Sequence, residues 1–422
     1  MLLDPTISVE QRDALETEKA MHLNEAIAQR RAWSSFVKEY LKRLDPNTEI
    51  PGNVIPLTLN NDNILKEEKA AILDESLGVQ LLVDDFGGGL TLPFYGFRRP
   101  SADYFNSNLI LHNFVSCDVS TGIHRVLLYD ERSQGKGCDA TCSMRIALQL
   151  KLKDERISKG IEAKVCTTLL DNCVGQNKSI AVMQFYAMLQ LIFYPQLACL
   201  FLKSGHSHMV ADRVVAWTKG ILRGKNLYHP VNIAEHMNRV RGVEAVFLQA
   251  TDASFPFRTG WADFLMKHFK KLPDRYTFNH FFEFCEGVCT MRRFCDTPNS
   301  EASIFKMCND PQATKIAILR ELFGVDDLRN ATMSRLTLPK NGGKVLTKTK
   351  LVSLAKKYSS IPEQIRSYYP DVSSIKIKSE GNKKRKREKS SRKPKRRKPG
   401  RPKKVPTPVI GFRSILQYFK KE

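Results

Sequence analysis

This sequence has no clean apolar run. Its most apolar stretch, AVMQFYAMLQLIFYPQLACLFL (181–202), is nominally long enough to cross a bilayer but is interrupted by Gln184, Gln190, Pro195 and Gln196. The proline and the change of pattern after it make this a core helix followed by a core strand, so no membrane partner is expected. The opening residues, MLLDPTISVEQRD, are acidic and hold no long apolar segment, so a secretory signal is not expected. Metal-binding cysteine spacing is missing as well. Cys285, Cys289, Cys295 and Cys308, with His280 nearby, include no C-x-x-C pair, and EFCEGVCTMRRFC reads as a strand turning back on itself. Structural zinc is therefore not expected there. Cys138 and Cys142, four apart on a helical pattern, read as packing residues, and Cys173 has no histidine-paired nucleophile arrangement. Ten cysteines without a secretory context fit reduced thiols inside a cell.

Negative charge is also scarce. The 422 residues carry 67 Lys and Arg against 44 Asp and Glu, a net charge of +23, and the excess is uneven. Residues 381–404 alone hold 15 Lys or Arg and one Glu, with no apolar residue besides prolines. Such a segment cannot bury a core and is expected to be a disordered basic tail. The asymmetry points to a polyanionic partner, most simply nucleic acid.

What is present upstream is an ordered pattern of elements. Residues 11–45 are rich in helix formers and end at Asp45-Pro46, giving a helical arm that with a polar connector fills 1–75. LGVQLLVDDF is a strand closed by Gly87-Gly88-Gly89, and SNLILHNFVSCDV and GIHRVLLYDE are two more strands around the turn STG. CDATCSMRIALQLKLKDERI has helical spacing, EAKVCTTLLD is a strand, NKSIAVMQFYAMLQLIF a helix, QLACLFLKSG a strand and HSHMVADRVVAWTKGILRG a helix. The order β-β-β-α-β-α-β-α implies an α/β mixed sheet with helices on both faces over residues 76–225. Residues 226–375 follow as an α+β extension with a terminal helix; EAVFLQA and YTFNHFFEF are strand and helix patterns to which no role attaches.

That element order resembles the ribonuclease-H-like arrangement of ribonucleases H, retroviral integrases and DDE/DDD transposases. The resemblance implies acids on the first strand, at the end of the fourth and at the start of a late helix. Here those places hold Asp84 or Asp85, Asp171 and Asp212. Only one of the adjacent pair can face the site, because side chains alternate along a strand, and the resemblance favours Asp85. The blocks DDFGGGLTLP (84–93), PSADYFNSNL (100–109), LLYDE (127–131), LDNCVGQNKS (170–179), GHSHMVADRV (205–214) and KLVSLAKKYSSIPEQIRSYYP (350–370) resemble, more narrowly, an uncharacterised transposon-derived family found as repeated copies in several eukaryotic lineages.

The chemistry implied is phosphodiester cleavage or strand transfer with two Mg²⁺ (or Mn²⁺) ions, hard cations that aspartate oxygens suit. Asp85, Asp171 and Asp212 would be the metal ligands. Asn172, Gln176 and Asn177 would support the site by meeting phosphate or metal-bound water. His206 and His208 precede Asp212 and would act on phosphate or tune the metal; His208 shares a helix face with Asp212 if the helix has begun there. The plainer alternatives are that Asp171-Asn172 opens a turn and caps the helix near Lys178, and that the histidines satisfy backbone groups. The third acid is Asp rather than the commoner Glu.

In the tail (376–404), KKRKR and KPKRRK resemble a two-part nuclear localisation signal, implying an import receptor and a nuclear location. Arg396, Arg397, Lys398, Gly400, Arg401, Pro402 and Lys403 resemble an AT-hook, whose Gly-Arg-Pro core lies in the narrow minor groove of A·T-rich DNA. Pro399 stands where that motif usually has Arg. In the last segment (405–422), Ile415, Tyr418 and Phe419 recur at i, i+3 and i+4, resembling the box that docks proteins on the replication sliding clamp, with Phe412 in place of its Gln. The expectation is a nuclear DDD-type transposase or transposase-derived nuclease, a homo-oligomer being compatible with it. The alternative is a domesticated DNA- or chromatin-binding protein that keeps the old fold as a scaffold.

Overall fold

A computed structural model describes residues 8–44, 78–100, 106–203, 209–249, 252, 255–294, 297–372 and 375. The amino-terminal arm is one helix, α1 (Val9–Leu44), opened by a reciprocal cap: the Gln11 amide donates to Ser8 Oγ and the Ser8 amide to Gln11 Oε1. Ala26, Gln29 and Trp33 recur at helical spacing and are buried. From Val79 short apolar runs produce β1 (Val79–Leu92), β2 (Phe94–Tyr95), β3 (Leu109–Asp118) and β4 (His124–Asp130). Next come α2 (Cys138–Lys159), β5 (Val165–Leu170), α3 (Ile180–Phe193), β6 (Gln196–Phe201) and α4 (Val210–Ile221). Among the described residues the expected succession is present, with the two-residue β2 interposed; it pairs with β7 (Asn226–Leu227), outside the main sheet. The apolar stretch after residue 180 is a core helix and a core strand, and no described helix is long and apolar enough to cross a membrane.

The end of β1 differs from expectation. The three glycines do not close β1; the strand runs through them, and its register with β3 shifts between Gly87 and Leu90. A bulge absorbs the irregularity, so glycine marks a bend inside the strand. Gly87 is also a close-approach position: a methyl group there would stand 2.8 Å from both Asn113 Nδ2 and Val215 Cγ2 of α4.

The remaining chain supplies α5 (Pro230–Met237), β8 (Val243–Phe247), α6 (Trp261–His268), β9 (Phe281–Cys285), β10 (Val288–Arg292), β11 (Ser303–Lys306), α7 (Pro311–Phe323) and α8 (Lys348–Ala355). The reversal read from EFCEGVCTMRRFC is the β9–β10 hairpin, turned by Glu286 and Gly287, both at positive φ. Strands 8 to 11 join the same sheet as β1, β3, β4, β5 and β6, in the order β11-β10-β9-β6-β5-β1-β3-β4-β8. At its centre, β1 pairs antiparallel with β3 and parallel with β5, β3 antiparallel with β4, and β5 parallel with β6. β8 adds in parallel beside β4, and β9 antiparallel beside β6. The result is a nine-stranded mixed α/β sheet.

Both faces are covered. α2, α3, α6 and α7 pack on one, through a core that includes Ile146, Phe185, Trp261, Phe282 and Leu322. α4 and α5 pack on the other, through Val83, Val115, Val214, Ile233 and Met237. Each large side chain fully buried there contributes on the order of 1.5–3 kcal/mol before chain entropy is set against it.

Candidate active site

Alternation along β1 sends its two adjacent aspartates to opposite faces. Asp84 is 2% exposed and accepts from Arg145 Nε of α2 at 2.9 Å, forming a buried ion pair on the α2 face. Asp85 therefore lies on the α4 face, half-buried. Across the parallel pairing, Asp84 is level with Leu170, so Asp171, the first residue beyond β5, comes off the sheet beside Asp85. α4, packed over β1, carries Asp212 in its first turn.

The electrostatics show that the three acids share one neighbourhood. Asp85 has its pKa pushed up to about 6, first by burial, then by the negative charge of Asp212, and further by that of Asp171; the Phe86 amide and Lys136 oppose the rise. Asp212 also does local work, since its Oδ2 accepts the Met209 amide at 2.8 Å and so ties the start of α4. α4 is described from Val210 onward. His206 and His208 lie outside the described residues.

The loop after Asp171 is built from its own amides. The backbone N–H groups of Gln176, Asn177 and Lys178 all point to the Cys173 carbonyl, at 3.1, 2.9 and 3.2 Å. The helix that follows is capped by Ser179, whose Oγ accepts from Val182 N, so neither Asp171 nor Asn172 serves as its cap. Gln176 Nε2 donates to the Lys136 carbonyl at 2.9 Å, and the buried Asn177 donates to the Asp171 carbonyl at 3.4 Å. Asn172 Oδ1 accepts from Lys178 Nζ at 2.9 Å. Gln176 and Asn177 each give one amide hydrogen to a carbonyl of the protein itself, and these bonds hold the loop.

Three lysines of this neighbourhood carried no expectation from sequence. Lys178 is buried, with its ammonium 4.8 Å from the Phe201 ring centroid and 5.7 Å from that of Phe282. Its pKa is pushed down to about 7, by burial and then by Arg293. Lys136 stands with its ammonium 5.3 Å from the Phe86 ring centroid. Lys219 lies two helical turns after Asp212 on α4, a spacing that was legible, with its ammonium 3.1 Å from where a Gly88 methyl would be.

The donor set of the three aspartates is all oxygen, and the pKa of Asp85 is raised by burial first and then by the charges of Asp212 and Asp171, a repulsion a divalent cation would relieve; in that chemical sense Mg²⁺ or Mn²⁺ fits. Among the described residues no three His, Cys, Asp or Glu side chains already stand in a metal-holding arrangement, at the aspartates or at the cysteines. Of the latter, Cys285 is exposed and Cys289 and Cys308 are buried, while His280 Nδ1 lies 3.0 Å from the Phe201 carbonyl. Cys295 falls outside the described residues, as do the AT-hook-like segment with Arg401 and the clamp-box residues Ile415, Tyr418 and Phe419. A cavity of about 450 Å³ opens elsewhere, around Asp130, Arg132, Phe247 and Tyr368, and none of the three aspartates lines it. No family model, no curated protein and no solved structure matches this chain.

Proposed function

We propose that the chain is a transposase, or a nuclease derived from one, of ribonuclease-H-like fold and transposon origin, acting on DNA phosphodiester bonds in the nucleus. One feature carries the reading: Asp85, in the middle of β1, feels the charges of both Asp171 and Asp212, which follow it by 86 and then 41 residues in sequence. The strand order β4-β3-β1-β5-β6, with the first three antiparallel and the next two parallel, supports the fold assignment. The basic tail supports DNA as partner, its Gly400-Arg401-Pro402 core suits the A·T-rich minor groove, and Ile415, Tyr418 and Phe419 suit the sliding clamp.

In this reading Asp85, Asp171 and Asp212 would hold Mg²⁺ or Mn²⁺, which when bound supplies charge stabilisation for the attacking and leaving oxygens. Burial and two neighbouring carboxylates keep Asp85 poised to give up its proton near pH 6, so above that pH Asp85 adds its own negative charge to the site. Gln176 ties the Asp171 loop to the Lys136 loop and Asn177 closes on the Asp171 carbonyl, while the parallel pairing of β1 with β5 sets the level of Asp85 and Asp171. Water or a DNA 3′-hydroxyl would be the nucleophile.

The test is Asp171→Asn. Magnesium-dependent cleavage of the element's terminal-repeat DNA is expected in wild type and lost in the variant, with DNA binding retained in both. A second reading is favoured by the tail, whose 15 cations bind DNA without any acid: a non-enzymatic DNA-binding protein. It takes over if wild type binds but never cleaves.

A further inference from the structure

Three neighbouring carboxylates repel a DNA phosphate, so a strand approaching them needs cations that are not already spent. Two are in place. Lys136, from the loop between β4 and α2, interacts with the charge of Asp85, and Lys219, from the last turn of α4, reaches over Gly88 of the same strand. Among the described residues neither ammonium makes an ion pair or a hydrogen bond, whereas Lys203 and Lys350 are paired with Glu25 and Glu131. We propose that Lys136 and Lys219 form a phosphate-binding subsite for the DNA strand handled at the three aspartates, an inference that rests on the nuclease reading.

The surroundings are shaped for it. The Lys136 loop is held at two points, by Tyr129 Oη donating to the Gly135 carbonyl at 2.9 Å and by Gln176 Nε2 donating to the Lys136 carbonyl at 2.9 Å. The Phe86 ring supports the Lys136 ammonium. Gly88 leaves open the space into which Lys219 reaches; any side chain there would press on its ammonium. The two like charges disfavour each other, and burial with Lys219's charge pulls the Lys136 pKa down while Asp85 partly offsets this. An arriving phosphate relieves that repulsion, whereas a neutral ligand does not.

The experiment uses the full chain in the presence of a chelator, so that cleavage does not enter the readout. A duplex end with a short single-stranded overhang is scanned with one neutral methylphosphonate at a time, and affinity is read by fluorescence anisotropy across a salt series. Wild type is expected to lose about 3- to 10-fold in affinity at one or two adjacent positions. In Lys136→Met/Lys219→Met, which keeps both apolar stems, that positional loss should vanish and the salt slope should fall by roughly 1.5 to 2. The tail contributes equally to both proteins and to all positions. Should the double variant fail to fold, Lys219→Gln alone, at a half-exposed site, should erase one position. A flat scan in wild type, or the same positional loss in wild type and variant, overturns the subsite. A separate magnesium assay that finds no cleavage removes the nuclease reading without touching the scan.

Discussion

Asp84 of β1 and Leu170 of β5 are parallel-strand partners, which brings the next residue of each chain segment, Asp85 and Asp171, level where β5 leaves the sheet. Asp212 reaches the same place from α4, and its charge raises the Asp85 pKa more than that of Asp171 does. Substituting Asp212→Asn should therefore lower the Asp85 pKa from about 6 further than Asp171→Asn. A ¹³C NMR titration of the side-chain carboxyls reads this directly. A larger drop in the Asp171 variant would mean that Asp212 is turned away from the site.

The same carboxylate is a cost to the fold. Its folded pKa of about 6 lies above the ordinary 3.8, so the folded state holds the proton more tightly, and stability is lost as pH rises through that window. Asp85→Asn should raise unfolding free energy at pH 7.5 by roughly 1–3 kcal/mol. The gain should shrink towards zero as pH falls below about 4. Urea midpoints of wild type and variant at both pH values test it, and a variant less stable at pH 7.5 would show that the carboxylate is stabilised by something else.

Gly87→Ala should cost about 1–3 kcal/mol, because the new methyl meets Asn113 and Val215 at once. Gly175→Ala, with nothing near its added methyl, should cost under about 0.5 kcal/mol. Since Val215 belongs to the helix that carries Asp212, the first variant should also move the Asp85 pKa, and the second should not. Equal denaturation midpoints for the two would show that α4 yields freely.

Lys178 gives a pH signature of opposite kind. Its folded pKa of about 7 lies below the ordinary 10.5, so between those values the unfolded chain binds the proton and the folded one does not, and stability rises with pH. Lys178→Met should remove that slope. Its advantage over wild type should be greatest below pH 7 and fade towards pH 10, as read by thermal unfolding across the series. A pH-independent difference would mean that the buried amine is not titrating there.

The main strands and helices up to residue 221 were legible because apolar patterning is local: the apolar run of β4 and the helical spacing of α2 need no knowledge of their partners. The fate of Gly87-Gly88-Gly89 was not, since whether a glycine run ends a strand or bulges it depends on Asn113 of β3 and Val215 of α4, neither near it in sequence. The alternation rule placed Asp84 and Asp85 on different faces. Deciding which face held the other acids required Arg145, 61 residues away, to claim Asp84. Likewise EAVFLQA and YTFNHFFEF carried strand and helix patterns, but nothing local says that β8 pairs with β4 or β9 with β6. Lys136 belongs to no pattern at all; it is brought to Asp85 by the loop that Gln176 holds.

The glutamines that interrupt the apolar stretch end up as fasteners. Within α3 every residue from Val182 to Phe193 is buried; Gln184 Nε2 donates to the carbonyls of Phe269 and Lys270, and Gln190 Oε1 accepts from the Gly287 amide. The cover of this helix, Trp261, Phe264, Phe282 and Leu322 among others, comes from the later part of the chain. A fragment cut after residue 225 would keep all three aspartates yet bare one side of their scaffold to water. Expression trials seeking a minimal enzyme must therefore carry the chain at least through α7, and a shorter piece that precipitates says nothing about its chemistry.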